Sequence, residues 1–132
     1  MRNTGLSFSI VILSISISLA QNQHQYLTER PYAVVLGIAQ DGGYPHAGCE
    51  RSCCRDAWKI DSLRKMVSCI AIIDPRSGLA WMFDATPDFA KQYNIITKQH
   101  GARLAGIFLT HAHVGHYTGL MHLGREVMGA KN

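Results

Sequence analysis

Three histidines that follow an apolar run are the residues of this chain whose types and spacing could do chemistry. His111, His113 and His116 stand at positions i, i+2 and i+5, directly after the run at residues 106–110. Side chains two residues apart in extended backbone point the same way, so His111 and His113 can approach one ion from one side. Neutral imidazole is a common ligand of zinc. The spacing predicts a metal site; the alternative is a polar loop whose imidazoles bond to backbone groups.

The histidine segment resembles a known metal-binding motif. His111-Ala-His113-Val-Gly115-His116 is similar to the H-x-H-x-D-H motif of the metallo-β-lactamase superfamily, which also follows a hydrophobic strand. The resemblance implies that His111 and His113 bind one metal ion and that His116 serves a second. Gly115 stands where the family has Asp and offers no side-chain ligand. We therefore expect one ion, zinc or else iron or manganese, rather than two.

Two further segments narrow the resemblance to the family of pyrroloquinoline quinone (PQQ) synthesis protein B. Residues 35–45 together with Cys49 resemble its opening strand and loop. Residues 81–88 resemble its segment of Asn or Asp, then Ala, Ser or Thr, Pro and Asp. The likeness runs from about residue 34 to residue 130. It implies the α/β fold of the superfamily, an αββα sandwich, of which this chain supplies the N-terminal half as a mixed sheet with flanking helices.

The resemblance implies a metal-dependent hydrolase acting on a small-molecule substrate. A catalytic zinc takes three protein ligands and keeps one position for water, whose pKa falls to about 7. A metal-bound hydroxide would then attack an ester, amide, lactone or phosphodiester. Because Gly115 removes a carboxylate, two alternatives stay open. One is a non-catalytic binding or carrier protein in PQQ biosynthesis or transport, and the other is an inert fragment.

Two acidic residues and one more histidine are candidates for supporting roles. Asp84 ends a predicted strand at the same sheet end as the histidines. It either orients a ligand histidine by accepting its second ring N–H or bonds to nearby backbone amides. Asp41 and His46 lie on a loop that the resemblance places near the active-site mouth. Gly42, Gly43 and Pro45 explain that loop as a plain turn, which is the simpler interpretation.

The N-terminal residues and the net charge indicate where the protein works and which partners are excluded. Residues 1–20 have the Arg2 n-region, uncharged apolar core and small residues before Ala20 of a secretory signal peptide, and residues 21–31 are a polar flexible leader. Cleavage would leave 112 of the 132 residues and change the net charge from +4 to +3. We predict an exported protein, periplasmic or secreted, without stable membrane insertion. The scattered mild basicity argues against nucleic-acid binding.

The cysteine pattern leaves three states open. Cys49, Cys53, Cys54 and Cys69 all follow the predicted signal peptide, so an oxidising compartment permits disulfides. Adjacent Cys53 and Cys54 rarely bond to each other. Bridge, metal ligand and free thiol are comparable interpretations, because spacing does not fix connectivity.

The elements that must position these residues form a domain over 32–132, with strands first and then alternating helix and strand. Strands are predicted at 32–39, as a strand buried on both faces, and at 67–73, 79–83 and 106–110. A helix is predicted from the N-cap Thr86 to about His100. A last helix runs from about Tyr117 with Leu120, Leu123 and Val127 on one face, and residues 55–65 are irregular with one short helical turn.

Overall fold

The computed structural model describes residues 29–130. The predicted signal peptide and nearly all of the predicted leader lie outside the described residues. From residue 31 onward the described residues belong to one compact unit, and the description below concerns that unit. Within the described range, no helix is both long enough and apolar enough to cross a lipid bilayer.

A four-stranded mixed sheet carries the site. Its strands, in sheet order, are β1 (Tyr32–Gly37), β2 (Cys69–Asp74), β3 (Leu79–Phe83) and β4 (Arg103–Phe108). β1 pairs with β2 and β2 with β3 in antiparallel fashion, whereas β3 and β4 are parallel. The β2–β3 hairpin turns at Gly78, which has a φ of 66°. Because β3 and β4 are parallel, their carboxyl ends meet at one edge of the sheet.

Three short helices connect and extend the strands. They are α1 (Ser52–Lys59), α2 (Phe89–Asn94), which continues as a π-helical turn (Ile95–Gln99), and α3 (Val114–Tyr117), which continues as a 3-10 helix (Thr118–Leu123). The crossover from β3 to β4 runs through α2, as a parallel connection requires. This mixed sheet with flanking helices confirms the α/β class that the sequence predicted.

Two helix predictions are corrected by the structure. Residues 55–65 are more helical than predicted. α1 covers residues 55–59 and buries Cys54 and Ala57, and a 3-10 turn (Asp61–Leu63) follows it. The last helix does not continue to Val127. Its 3-10 part ends at Leu123, Gly124 follows, and the Val127 side chain is 60% exposed.

The predicted helix start at Thr86 is also shifted. α2 begins at Phe89 with Asp88 as its N-cap residue. Thr86 is buried and its hydroxyl donates to the side-chain oxygen of Gln92 at 2.7 Å, while Gln92 donates to the Val67 carbonyl at 2.8 Å. The Asp88 carboxylate accepts the Val67 amide at 2.9 Å. These polar groups tie the start of α2 to the segment before β2. The Thr86 hydroxyl also accepts the Asp88 amide at 3.1 Å, so Thr86 makes a capping-type hydrogen bond although the helix itself begins later, at Phe89.

The hydrophobic core lies on one face of the sheet. Alternate residues of the strands, such as Leu36, Ala71 and Met82, are buried there against Phe89 and Ile96 of the α2 crossover.

The opposite face corrects the prediction that β1 is buried on both sides. It carries a row of apolar side chains in cross-strand register, namely Val35, Ile70, Phe83 and Phe108. Val35 is 65% exposed and Phe108 is 55% exposed. A continuous apolar run therefore predicted the strand but not its exposure.

A close backbone approach fixes the end of the chain segment that carries the histidines. Gly119 is buried, and its amide donates to the Ala85 carbonyl at 2.8 Å. A Cβ at this position would lie 2.7 Å from the Phe89 Cβ and 2.8 Å from the Ala85 carbonyl carbon. Only glycine fits there without moving the loop after β3.

We predict that Gly119→Ala lowers the free energy of unfolding by about 1–3 kcal/mol, because the methyl group overpacks a backbone contact. Urea denaturation followed by circular dichroism measures it. Gly106→Ala is the matched control, since its Cβ would meet the Trp81 ring at 3.4 Å, an ordinary contact. Equal stability of the two variants would contradict the steric account.

Candidate metal site

The parallel ends of β3 and β4 bring the candidate residues together. Asp84 directly follows β3, and Thr110 and His111 follow β4. The Asp84 amide donates to the Phe108 carbonyl at 2.8 Å, and the Ala85 amide donates to the His116 carbonyl at 2.8 Å. The loop after β3 is thus hydrogen-bonded to both ends of the histidine segment.

Asp84 has an unusual backbone conformation for a residue with a side chain. Its φ is 75°, in the left-handed region, where Asp and Asn are tolerated better than most residues. Its side chain is only 7% exposed. One carboxylate oxygen accepts the Thr110 amide at 2.8 Å, and the hydroxyl of Thr110 reaches both oxygens at 2.9 and 2.8 Å. The strained conformation is held by this set of hydrogen bonds.

The same carboxylate orients two of the three histidines. His116 Nδ1 lies 2.8 Å from Asp84 Oδ2, and a carboxylate can only accept, so Nδ1 donates. The Thr110 hydroxyl gives its single proton to Asp84 and can therefore only accept from His111 Nδ1, which is 2.9 Å away. Both imidazoles then carry a proton on Nδ1 and keep Nε2 for another partner. Asp84 acts as the orienting carboxylate that the sequence offered as one of two interpretations.

The pKa values of the pair shift in opposite directions. The hydrogen bond to Asp84 raises the pKa of His116 above its ordinary value, and this outweighs the lowering by burial. Burial alone would raise the pKa of Asp84, but hydrogen bonds from the Thr110 amide and from His116 hold it below its ordinary value. The pair is an ion pair buried at the sheet edge when both groups are charged.

His111 and His113 form the second part of the site. His111 Nε2 lies 3.1 Å from His113 Nδ1, and the two rings meet edge to face with centroids 4.7 Å apart. Zinc–nitrogen bonds of about 2.0–2.1 Å in tetrahedral geometry place two ligand nitrogens about 3.3 Å apart. The donor atoms and their spacing therefore fit a pair of metal ligands. The His116 ring is adjacent, with its centroid 4.0 Å from that of His111.

Asp41 joins this site from a distant part of the chain. Its Oδ1 lies 3.1 Å from His116 Nε2, so His116 stands between two carboxylates. The sequence favoured a plain loop role for Asp41, and the structure instead places its carboxylate against a motif histidine. His46, on the same loop, is exposed; its ring bonds to the neighbouring Ala47 carbonyl, and its own carbonyl accepts the Cys49 amide at 3.1 Å.

The cysteines lie apart from the histidines. Cys49 and Cys54 form a disulfide, Cys53 is an exposed free thiol and Cys69 is a buried free thiol. Within residues 29–130, the three sulfur atoms of Cys49, Cys53 and Cys54 lie within 4.8 Å of one another, a grouping that could hold a metal ion if the bridge were reduced. Cys69 does not join them. Of the three states that the sequence left open, the bridge and the free thiol are observed.

Comparisons with known proteins agree with this architecture. No family model matches the chain, and no curated protein matches it. Among solved structures, Zn²⁺-bound PqqB from Methylobacterium extorquens aligns with a TM-score of 0.62 and 29% sequence identity, over 74% of this chain and 35% of PqqB. A diphosphatase from the PhnP family aligns with a TM-score of 0.55 and 24% identity, over 77% of this chain and 39% of the diphosphatase. The second likeness shows the fold alone.

The fold and the comparisons define the class first: a mixed α/β sheet of the metallo-β-lactamase type. Within that class, the chain is related to the metallo-β-lactamase superfamily near PqqB, as the histidine motif implied. It spans 35–39% of the length of these two structures, so activity and substrate are matters of proposal.

We predict that Asp84→Asn lowers the free energy of unfolding by about 1.5–3 kcal/mol, because the hydrogen bonds from Thr110 and His116 lose their charged acceptor. Asn tolerates a positive φ, so the backbone conformation is not what the variant tests. Urea denaturation at neutral pH measures the change. Asp61→Asn is the control, because the Asp61 side chain is 91% exposed. Equal midpoints for the two variants would contradict the orienting role.

We also predict that alkylation of the native protein at pH 8 modifies Cys53 but not Cys69. Burial raises the pKa of Cys69 to about 12, with a further contribution from the Asp84 charge, so its thiolate is scarce as well as shielded. Peptide mass spectrometry after iodoacetamide treatment, with and without urea, measures the labelling. Labelling of Cys69 at the native rate of Cys53 would show that β2 is not packed as described.

Proposed function

We propose that His111 and His113 bind a divalent metal ion, preferably zinc, and that this metal serves a hydrolase. The single observation that carries the proposal is the 3.1 Å approach of His111 Nε2 to His113 Nδ1, beside an Asp84–Thr110 relay that leaves His111 Nε2 available. Imidazoles held by hydrogen-bonded carboxylates are the usual supporting arrangement of metal-ligand histidines. The zinc in the PqqB structure supports the choice of metal.

The residues of this chain would position and prepare the site. When bound, the metal ion supplies Lewis acidity and lowers the pKa of water, the chemistry needed to hydrolyse an ester, amide, lactone or phosphodiester. Asp84 fixes the ring orientation and tautomer of His111 and His116. His116 and Asp41 lie beside the ligand pair, with His116 Nε2 and Asp41 Oδ1 3.1 Å apart.

A cleft next to Asp41 is suited to a small-molecule substrate. It has a volume of about 490 Å³, within the usual range for such ligands, and it extends from the Asp41 loop to Trp58, Arg64, Lys65 and Lys91. Its wall carries three acidic residues, Asp41, Asp61 and Asp88, beside the three basic ones, and Arg64 is paired with Asp61 at 3.2 Å, so the cleft is polar with balanced charge.

We further propose that the protein works outside the cytoplasm. The Cys49–Cys54 disulfide supports this location, because such bridges persist in oxidising compartments. The signal-like segment at residues 1–20 supports it independently.

We predict that His111→Ala and His113→Ala each abolish tight binding of one zinc ion, measured by inductively coupled plasma mass spectrometry after dialysis of the full chain. His100→Ala is the control, because His100 bonds to Tyr32 instead of joining the site. Hydrolysis of p-nitrophenyl esters and of bis-p-nitrophenyl phosphate should be lost with the same two variants.

The outcomes separate the rival functions. Metal binding with no turnover on any substrate class would favour the non-catalytic binding or carrier role. Unchanged zinc content in both variants would refute the proposed site. A chain that shows no cooperative thermal transition would instead support the inert-fragment interpretation.

A further inference from the structure

We propose that Asp41 supplies the carboxylate ligand that the histidine motif lacks at Gly115, so that Asp41 and His116 hold a second divalent metal ion. The inference rests on the proposed function, because the second ion would lie beside the pair formed by His111 and His113. It replaces the expectation of a single ion. The ligand comes from the loop after β1, 75 residues away from His116 in sequence.

The first observation is steric. Gly115 is buried, and a Cβ built on it would lie 2.5 Å from the Asp41 Cβ, 2.6 Å from the Asp41 Cα and 2.9 Å from its carboxyl carbon. An aspartate at position 115 would have to enter the space that Asp41 already fills. Glycine at position 115 therefore leaves room for the backbone and side chain of Asp41, whose carboxylate reaches His116.

The second observation is the geometry of the donor atoms. Asp41 Oδ1 and His116 Nε2 are 3.1 Å apart, close to the spacing of about 3.3 Å between two ligands of a tetrahedral zinc ion. Asp84 holds the other nitrogen of His116 at 2.8 Å and so turns Nε2 toward Asp41. Imidazole nitrogen and carboxylate oxygen are both zinc donors. The two pairs are neighbours, since the His111 and His116 rings are 4.0 Å apart.

The third observation is that the loop bearing Asp41 is anchored. The Ile38 and Ala39 amides both donate to the Met66 carbonyl at 2.9 Å, and the Ser68 amide donates to the Ala39 carbonyl at 2.8 Å. The Gly43 amide closes a turn around Asp41 by donating to the Gln40 carbonyl at 2.7 Å. Asp41 is thereby held by backbone bonds on both sides, as a preformed ligand must be.

The test is the zinc stoichiometry of the full chain, with Co²⁺ absorption titration as a second readout of the ligand set. We expect two ions in the natural sequence and one in Asp41→Asn, or a second-site dissociation constant at least about tenfold weaker. Asp61→Asn is the control carboxylate and should keep both ions.

A relocation variant tests the steric part. Gly115→Asp alone should lower the melting temperature, because its side chain overlaps Asp41. Adding Asp41→Gly should recover only part of that loss, because a Cβ at position 115 would still lie 2.6 Å from the Cα of residue 41. Comparable melting temperatures for Gly115→Asp and the natural sequence would overturn the steric argument.

The outcomes keep the two proposals distinguishable. One ion in the natural sequence, lost in His111→Ala but retained in Asp41→Asn, would overturn this inference and leave the proposed function intact. No ion at all would overturn both. If the paired variant does not fold, Asp41→Asn still decides, because Asn is isosteric with Asp and keeps the loop packed.

Discussion

The carboxylate of Asp84 is the group on which the arrangement of the site depends. It ends β3 in a left-handed conformation, and that conformation turns its oxygens toward the next strand instead of toward solvent. From there it accepts the Thr110 amide, the Thr110 hydroxyl and His116 Nδ1. A buried carboxylate is tolerated only when its oxygens are hydrogen-bonded or paired with a charge. The hydrogen bonds that the buried Asp84 carboxylate requires are therefore the same bonds that orient the imidazoles.

Backbone bonds reinforce that constraint. The Ala85 amide bonds to the His116 carbonyl and the Gly119 amide bonds to the Ala85 carbonyl, both at 2.8 Å. The loop after β3 thus forms part of the floor under α3 and its 3-10 extension. Because the start of α2 is tied through Gln92 and Asp88 to Val67, the segment before β2 is connected to the same loop. A shift of any one segment would move His116 relative to His111.

Much of this could be predicted from local sequence. The histidine spacing, the β3 strand at residues 79–83 and the position of Asp84 at its end all follow from patterns within a few residues. The contact of Asp41 with His116 could not be predicted in this way, because it depends on how a loop after β1 meets the last helix. The exposure of Val35 was likewise invisible, since a continuous apolar run does not say which neighbours cover it. α1 was missed because its charged residues mask the burial of Cys54 and Ala57.

One sequence feature did point to the contact of Asp41 with His116, namely the missing side chain at position 115. Gly115 offers no ligand where the resembling motif has Asp, and glycine in a buried position commonly marks the close approach of another segment. Asking what approaches Gly115 leads to Asp41, whose Cβ would be overlapped by any side chain there. When a motif lacks one ligand, the structure should therefore be searched for another residue that occupies the space left by the missing side chain. The Asp41 carboxylate lies 3.1 Å from His116 Nε2, so the absence of Asp at position 115 does not leave His116 without a neighbouring carboxylate on that side.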